Sequence, residues 1–379
     1  MAPIRVTHLT TVHHALDPRI LQKQCASLVR AGYDVTLVAR HDCAEEIDGV
    51  GIVPLPPVQG RYRRILLQRT AFHLARRLGS RLYHIHDPEL IPVAYALKRA
   101  TGARIVYDMH EDYRGHGPAE GRLLRALERW CFTWIDHVVA AHPSLASLVR
   151  RAPVTWIDNY VRMPESTGTA PRDPAGSPVL LYSGVMADVR GLPELLDLAA
   201  EVRKRALPWT LDLAGVCYRA SDREHAEARI AREGLAGSVS RTGWSRYVPW
   251  RDLVPHFRRA HAGLVLWRPH PNHDHKIPTK FYEYISFGLP ILCSDFPLWR
   301  AFVERHGCGA VVDPRDTRAA VDLLEMWFGE PETYRVLSEA AFAAAPAYQW
   351  EVMEARLLAL YEDLLGFPEA DGAAPVTAG

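Results

Sequence analysis

Three stretches of this 379-residue sequence set histidines beside carboxylates: TTVHHALDPRI (10–20), HIHDPEL (84–90) and YDMHEDY (107–113). An imidazole moves a proton near neutral pH, and a neighbouring carboxylate decides which ring nitrogen carries it, so such pairs suit hydroxyl recognition or proton transfer. One such histidine is more often structural; three such loops at three strand ends, where a cleft is expected, are less easily dismissed. A fourth stretch, KIPTKFYEYISFGLPILCSD (276–295), puts Lys276 and Lys280 at the start of a helix expected over about Thr279–Phe287. Free N–H groups and lysines there both favour an anion such as phosphate, and Glu283 lies one turn in, suited to sugar hydroxyls. The alternative is plain scaffold, since helix, Gly288 turn and strand make an ordinary αβ unit. In a fifth stretch, YSGVMADVRGLPELL (182–196), Gly184 allows close backbone approach and Arg190 offers a bidentate donor. Arg190 and Lys280, at equivalent strand ends of one sheet, would together suit a diphosphate.

Other chemistries find less support. A dinucleotide site of the G-x-G-x-x-G type is missing after the first strand. Asp17 is a natural cap for a helix opened by Pro18, with Arg19 then facing a cleft or solvent. The run HPNHDH (270–275) invites a metal, but its spacing is loop-like and a second ligand cluster is missing, so no metal is expected. The segment 61–81 holds seven arginines; it reads as a solvated helix face, with contact to anionic lipid as the lesser alternative.

The totals fit this picture. The formal charge of +1 gives no general pull toward nucleic acid. Only five residues are lysines, and two of them fall in 276–295. Six scattered cysteines suit reduced thiols, the amino terminus enters a strand directly, and no apolar run reaches about 20 residues. A cytoplasmic protein is expected, with oligomeric state open.

The elements that must position these residues alternate strand and helix. Strands are expected at Ile4–Leu9, Val35–Ala39, Leu82–His86, Ile105–Asp108, His137–Ala141 and Thr155–Ile157. Helices are expected over Arg19–Arg30, 61–81, Glu89–Ala100 and Ala119–Ile135. Residues 162–178, rich in Pro, Gly and Ser/Thr, read as a linker. The beat then restarts, with strands at Val179–Tyr182, Thr210–Ala214, Val239–Thr242, Gly263–Trp267, Pro290–Ser294 and Ala310–Val312. A final helix covers Trp350–Leu365, before a small-residue tail expected to be disordered. The expected architecture is α/β: two Rossmann-like parallel-sheet domains facing across a cleft, ligands lying beyond the carboxyl ends of the strands. The domains are placed at 1–165 and 178–345, with a last helix at 346–366.

DPRI (17–20), HDPEL, YDMHEDY, the RG of VRGLPELL, GLVLW and PTKFYEYISFGLPILCSD, in this order over residues 4 to 365, together resemble family 4 glycosyltransferases. The resemblance is closest to bacterial members with HDPEL, YDxHEDY and PTKxxEY signatures. It implies a GT-B fold, a retaining and metal-independent hexosyltransferase, no cofactor, and a nucleotide-diphosphate sugar as donor, a UDP-sugar first. The acceptor would be a hydroxyl of a cell-envelope glycan or small natural product, bound mostly by the first domain, to which the last helix crosses back. The resemblance assigns Arg190, Lys280 and His110 to catalysis. Gly184, Arg190, Lys280, Glu283, Tyr282, His275 and Tyr247 (with Trp244 beside it) would bind donor, and Asp17, Arg19, His14, His86 and Glu111 would lie on the acceptor side. Two positions depart from the pattern: His275 stands where the family's first paired Glu is usual, and Val185 where a first phosphate-binding Arg is common. These departures keep two alternatives in view, a GT-B-shaped nucleotide-sugar epimerase and a nucleotide-binding subunit with a decayed site.

Overall fold

The computed structural model describes residues 3–56, 61–112, 118–163, 176–270, 273 and 276–366, without the side chains of 61–65, 118 and 119. Most of the linker, the carboxyl-terminal tail, His275 and most of the HPNHDH run therefore lie outside the described residues. The chain forms two compact units, Met1–Arg162 with Trp350–Gly379, and Met163–Gln349.

The first unit holds β1 (Arg5–His14), β2 (Asp34–Arg40), β3 (Glu45–Ile47), β4 (Val50–Leu55), β5 (Leu82–Ile85), β6 (Arg104–Met109), β7 (His137–Ala140) and β8 (Val154–Trp156). They form one sheet in the order β3-β4-β2-β1-β5-β6-β7-β8. All pairs are parallel except β3–β4. Leu9, Tyr83, Ile85 and Tyr107, in register across the central strands, bury one face in the core, while His8, His84 and Asp108 lie on the other face near the carboxyl ends.

Three local features differ from expectation. The β3–β4 hairpin was not anticipated; Asp48 (φ 53°) and Gly49 (φ 77°) both take the left-handed conformation that a tight hairpin turn needs, and Asp-Gly was its available signal. β1 runs to His14 rather than Leu9, with an irregularity in its pairing to β2 between Leu9 and His14. The Asp87 carboxylate holds that irregular stretch by accepting from Thr10 Oγ1 and from the N–H groups of Thr11 and Val12. The helix after it is wide-turned over Pro18–Cys25 before becoming α-helical at Ala26–Arg30. Arg19 and Gln24, five residues apart, both reach Asp108, and a wider turn brings residues at that spacing nearer one face.

The helix Trp350–Leu365 packs on this first unit. Trp350 Nε1 donates to Ser27 Oγ at 2.9 Å, Arg30 pairs with Glu354, and Tyr361 is fully buried. The Arg-rich helix spans Arg61–Leu78.

The second unit holds β9 (Val179–Ser183), β10 (Thr210–Val216), β11 (Val239–Trp244), β12 (Ala262–Val265), β13 (Ile291–Ser294) and β14 (Gly309–Val312). All are parallel, in the order β11-β10-β9-β12-β13-β14. Buried Asp212 on β10 accepts from Ser240 Oγ, His256 Nδ1 and Arg259, which fastens the helix Trp250–Arg259 beneath the sheet. Five cysteines are buried thiols and Cys43 is exposed. Among the described residues no helix is long and apolar enough to cross a membrane.

Candidate functional site

In the first unit the carboxyl ends of β1, β5 and β6 gather one polar cluster around Asp108. This carboxylate is fully buried, yet Arg19 grips it with two hydrogen bonds (Nε–Oδ2 3.1 Å, NH2–Oδ1 2.9 Å) and Gln24 Nε2 donates at 2.7 Å. His110 Nε2 lies 3.2 Å and His86 Nδ1 3.5 Å from Oδ2. Burial alone would raise the Asp108 pKa; Arg19 and the two histidines outweigh it and hold the group well below the usual carboxylate range.

A second layer lies over the first. The His13 ring lies tilted 5.0 Å from that of His110 and bonds Asp17 at 3.1 Å, with Asp87 3.8 Å away. Burial opposes protonation of His13, but Asp17, Asp87 and Asp108 together raise its pKa. Asp17 caps the following helix by accepting from the N–H groups of Arg19 and Ile20. Burial would raise the Asp17 pKa, yet the His13 hydrogen bond and charge draw it down to about 2.

The expected acceptor-side residues thus separate. Asp17 joins the cluster and is partly exposed, as is His110, which was assigned to catalysis. Arg19 faces neither cleft nor solvent: it is 6% exposed, and His86 is 1% exposed, so both support the cluster from below. His14 is exposed and turns edge-on to His41, while its neighbour His13 joins the cluster instead. Glu111 is exposed.

In the second unit, Lys280 projects from the first turn of the helix Thr279–Ser286 to the end of β9. The helix is fixed by its other face. Phe281 packs on Trp299, Tyr282 stacks on Tyr348, and Tyr284 Oη accepts from Ser183 N–H and reaches the Leu181 carbonyl. Tyr282, expected to bind donor, is 3% exposed and belongs to this packing face. Gly184 has φ +99°, and a Cβ there would stand 2.8 Å from Lys280 Nζ, so only glycine leaves the lysine this place. Gly191 caps the short turn Asp188–Arg190 in the left-handed conformation; a Cβ there would meet the Leu266 carbonyl oxygen at 1.8 Å.

That turn aims Arg190 at the indole of Trp267, its Cζ 5.3 Å from the ring centroid. Lys280 Nζ lies 5.6 Å from the same ring and 5.0 Å from the ring of Tyr182. Neither cation is ion-paired among the described residues. Burial, and then the charge of Arg190, lower the Lys280 pKa to about 8, against a smaller opposing effect of Glu283. Glu283 is half-buried and accepts from Ser183 Oγ at 3.3 Å. Tyr247, in the loop after β11, is 59% exposed.

The residues missed from sequence are the supports: Asp108, His13 and Asp87 in one unit, and Trp267, Tyr182 and Ser183 in the other. Asp108 and Asp87 lay inside the quoted motifs beside the histidines chosen, and Trp267 ended the GLVLW run.

Two described groups bring three metal-type ligands together, His41/Cys43/Glu45 at the surface and buried His84/His86/Asp108. The second fits a divalent cation poorly, because its single carboxylate is already neutralised by Arg19. Of the 270–275 run, His273 is buried against Trp267 and bonds the Arg268 carbonyl.

Comparison with known proteins agrees with this architecture. Residues 18–164 match the glycosyl transferase 4-like domain and residues 170–344 the glycosyl transferases group 1. The chain is 25% identical over 229 residues to the GDP-mannose:cellobiosyl-diphosphopolyprenol alpha-mannosyltransferase of Xanthomonas oryzae pv. oryzae, covering 60% of this chain and 57% of that one. It is 24% identical over 189 residues to the alpha-D-kanosaminyltransferase of Streptomyces kanamyceticus, covering 49% and 46%. The matched region thus spans about half the length of these relatives. In structure it is similar to a sucrose-phosphate synthase from Thermosynechococcus elongatus (TM-score 0.75, 16% identity, 95% of this chain and 99% of that one). It is also similar to Anabaena HepE in complex with UDP-glucose (TM-score 0.72, 13% identity, 95% and 100%). These likenesses show the GT-B fold.

Proposed function

The chain belongs to the group 1 glycosyltransferases of the family 4 type, and from that premise we propose that it moves a hexose from a nucleotide-diphosphate sugar to an acceptor hydroxyl with retention of configuration. The observation that carries this reading is the pair of cations on one indole. Arg190 and Lys280 share Trp267 and lack an ion-pair partner among the described residues, and Lys280 lies against Gly184. Two positive charges held close, with Glu283 offsetting them only in part, repel each other, and a diphosphate between them would relieve that repulsion.

In the proposed reaction the bond from the sugar's anomeric carbon to the diphosphate oxygen breaks. Arg190 and Lys280 stabilise the charge that develops on the leaving phosphate. The acceptor oxygen bonds the same carbon from the same face, and its proton passes to the departing phosphate oxygen. The two cations supply the neutralisation that a divalent ion provides elsewhere, which makes the transfer metal-independent. Glu283 would hold ribose hydroxyls, Tyr247 would approach the base, and His110 would meet the transferred sugar. Asp17 and His13 would line the acceptor side. A UDP-sugar is the first donor to try, since HepE is described with UDP-glucose, and GDP-mannose is the second, after the mannosyltransferase relative. That relative's name also makes a diphosphopolyprenol-linked acceptor worth testing beside soluble glycans.

Thermal-shift titration with UDP, GDP, dTDP and ADP tests the donor half, because a ligand stabilises in proportion to the logarithm of its concentration over Kd. One nucleotide should raise Tm well above the others, and the matching sugar should be consumed with an acceptor present. Equal, negligible shifts with all four would defeat the proposal.

A further inference from the structure

Beneath His110 the first unit buries four closely packed rings whose hydrogen bonds run in series. Tyr361, on the carboxyl-terminal helix, stands between two histidines, its Oη 2.8 Å from His84 Nδ1 and 3.1 Å from His8 Nε2. His8 Nδ1 is 2.9 Å from His86 Nε2. His86 Nδ1 then faces Asp108 Oδ2 at 3.5 Å and His110 Nε2 at 3.3 Å. All four rings are 0–1% exposed, so their protons must be settled among themselves.

A neutral imidazole has one N–H and one lone pair, and a phenol has one O–H, so the line has two consistent directions. In the first, His84 Nδ1–H donates to Tyr361 Oη, Tyr361 O–H to His8 Nε2, His8 Nδ1–H to His86 Nε2, and His86 Nδ1–H to Asp108. In the reverse, a lone pair on His86 Nδ1 faces the Asp108 carboxylate, and His84 must carry its proton on Nε2. That atom is buried and has no hydrogen-bond partner. An orphaned N–H costs more than a bare lone pair, so the His84 end selects the first direction, and at the other end that direction gives the Asp108 carboxylate an N–H rather than a lone pair. Burial lowers the pKa of His8, His84 and His86, which keeps all three neutral as the scheme requires.

We propose that His84, Tyr361, His8 and His86 form a one-way chain of hydrogen bonds ending on Asp108, through which the carboxyl-terminal helix positions the imidazole of His110. Arg19 and Gln24 hold the Asp108 carboxylate on its other sides. His110 is left to place Nε2–H on Oδ2, which leaves Nδ1 as the nitrogen for an outside partner. Tyr361 is then a positioning residue, although it touches no ligand.

The test is 15N-histidine NMR on the full chain near neutral pH, with resonances assigned by single His→Gln replacements. His8, His84 and His86 should each show a protonated Nδ1 and a bare Nε2. Protonated Nε2 on His8 or His86 would overturn the chain's direction. Tyr361→Phe removes the one O–H in the line, and in a variant that still folds it should shift the His86 and His110 resonances; an unmoved His110 would overturn the positioning role. Should that variant not fold, the tautomers of the unmodified chain decide the matter. A kinetic arm rests on the proposed glycosyl transfer: Tyr361→Phe should slow consumption of UDP-glucose on the order of tenfold with little change in KM, and unchanged turnover counts against positioning. The tautomer result stands whether or not UDP-glucose is a donor, so a wrong donor is not mistaken for a broken chain.

Discussion

The two clusters at the strand ends handle charge in opposite ways. Around Asp108 every strong charge has been answered from inside: Arg19 is paired, and the histidines relay neutral hydrogen bonds between them. Around Lys280 the charge is answered only in part, with Arg190 nearby pushing its pKa down and Glu283 offsetting some of that. A charge-paired cluster holds groups still; on the proposed reading the other would take an anionic ligand. The first reads as a support for positioned side chains and the second as an anion seat.

The sharpest way to break this contrast is to remove the lysine. Lys280→Ala should lower turnover with the preferred donor by roughly 10²–10³-fold while circular dichroism and Tm stay close to those of the parent. Near-normal turnover would return the segment 276–295 to scaffold. Stability should respond in the opposite order. Asp108→Ala leaves the Arg19 charge buried and alone, and should cost about 3–5 kcal/mol in urea denaturation, whereas Lys280→Met relieves a like-charge contact and should cost little. Equal losses would erase the distinction between the clusters.

The pH dependence sharpens it further. The Lys280 pKa is about 8 in the fold against 10.5 for the ordinary side chain, so between those values the unfolded chain binds more protons. Its contribution to stability therefore rises from about pH 8 to about pH 10.5, and below pH 8 the buried charge costs on the order of 3 kcal/mol. Lys280→Met should flatten that rise in Tm. A bound diphosphate raises the pKa again, so UDP binding near pH 8.5 should take up protons, seen by calorimetry in buffers of different ionisation enthalpy. The smallest effect is at the entrance to the first cluster: Asp17→Ala removes a helix cap and should cost about 1 kcal/mol.

Much of the framework was legible in the sequence. Short β-rich runs between helical ones marked both parallel sheets, and most strand cores fell within a residue or two of expectation. The Glu45–Leu55 hairpin was not read because its charged first strand lacks an apolar face, although Asp48-Gly49 announced the turn. Strand-end motifs located the clusters but not the orientation of their members. Arg19 and His86 were expected to face an acceptor, and both are buried, because Asp108 draws them inward from elements far apart in sequence. Tyr282 has the same cause in reverse: the helix turns Lys280 outward and commits the next ring to Tyr348. Pairings at separations of 89 residues, as between Arg19 and Asp108, leave no local periodicity to read.

The shared indole of Trp267 has a consequence for how tightly an anion can be held. Free lysine and arginine side chains each sample many rotamers, and freezing one on binding costs about 0.5–1.5 kcal/mol. Lys280, 8% exposed between Tyr182 and Trp267, has already given up that freedom, and Arg190 lies over the same ring. If the proposed donor binds here, folding has met much of the ordering cost before it arrives, and more of each phosphate contact would be left to appear as affinity.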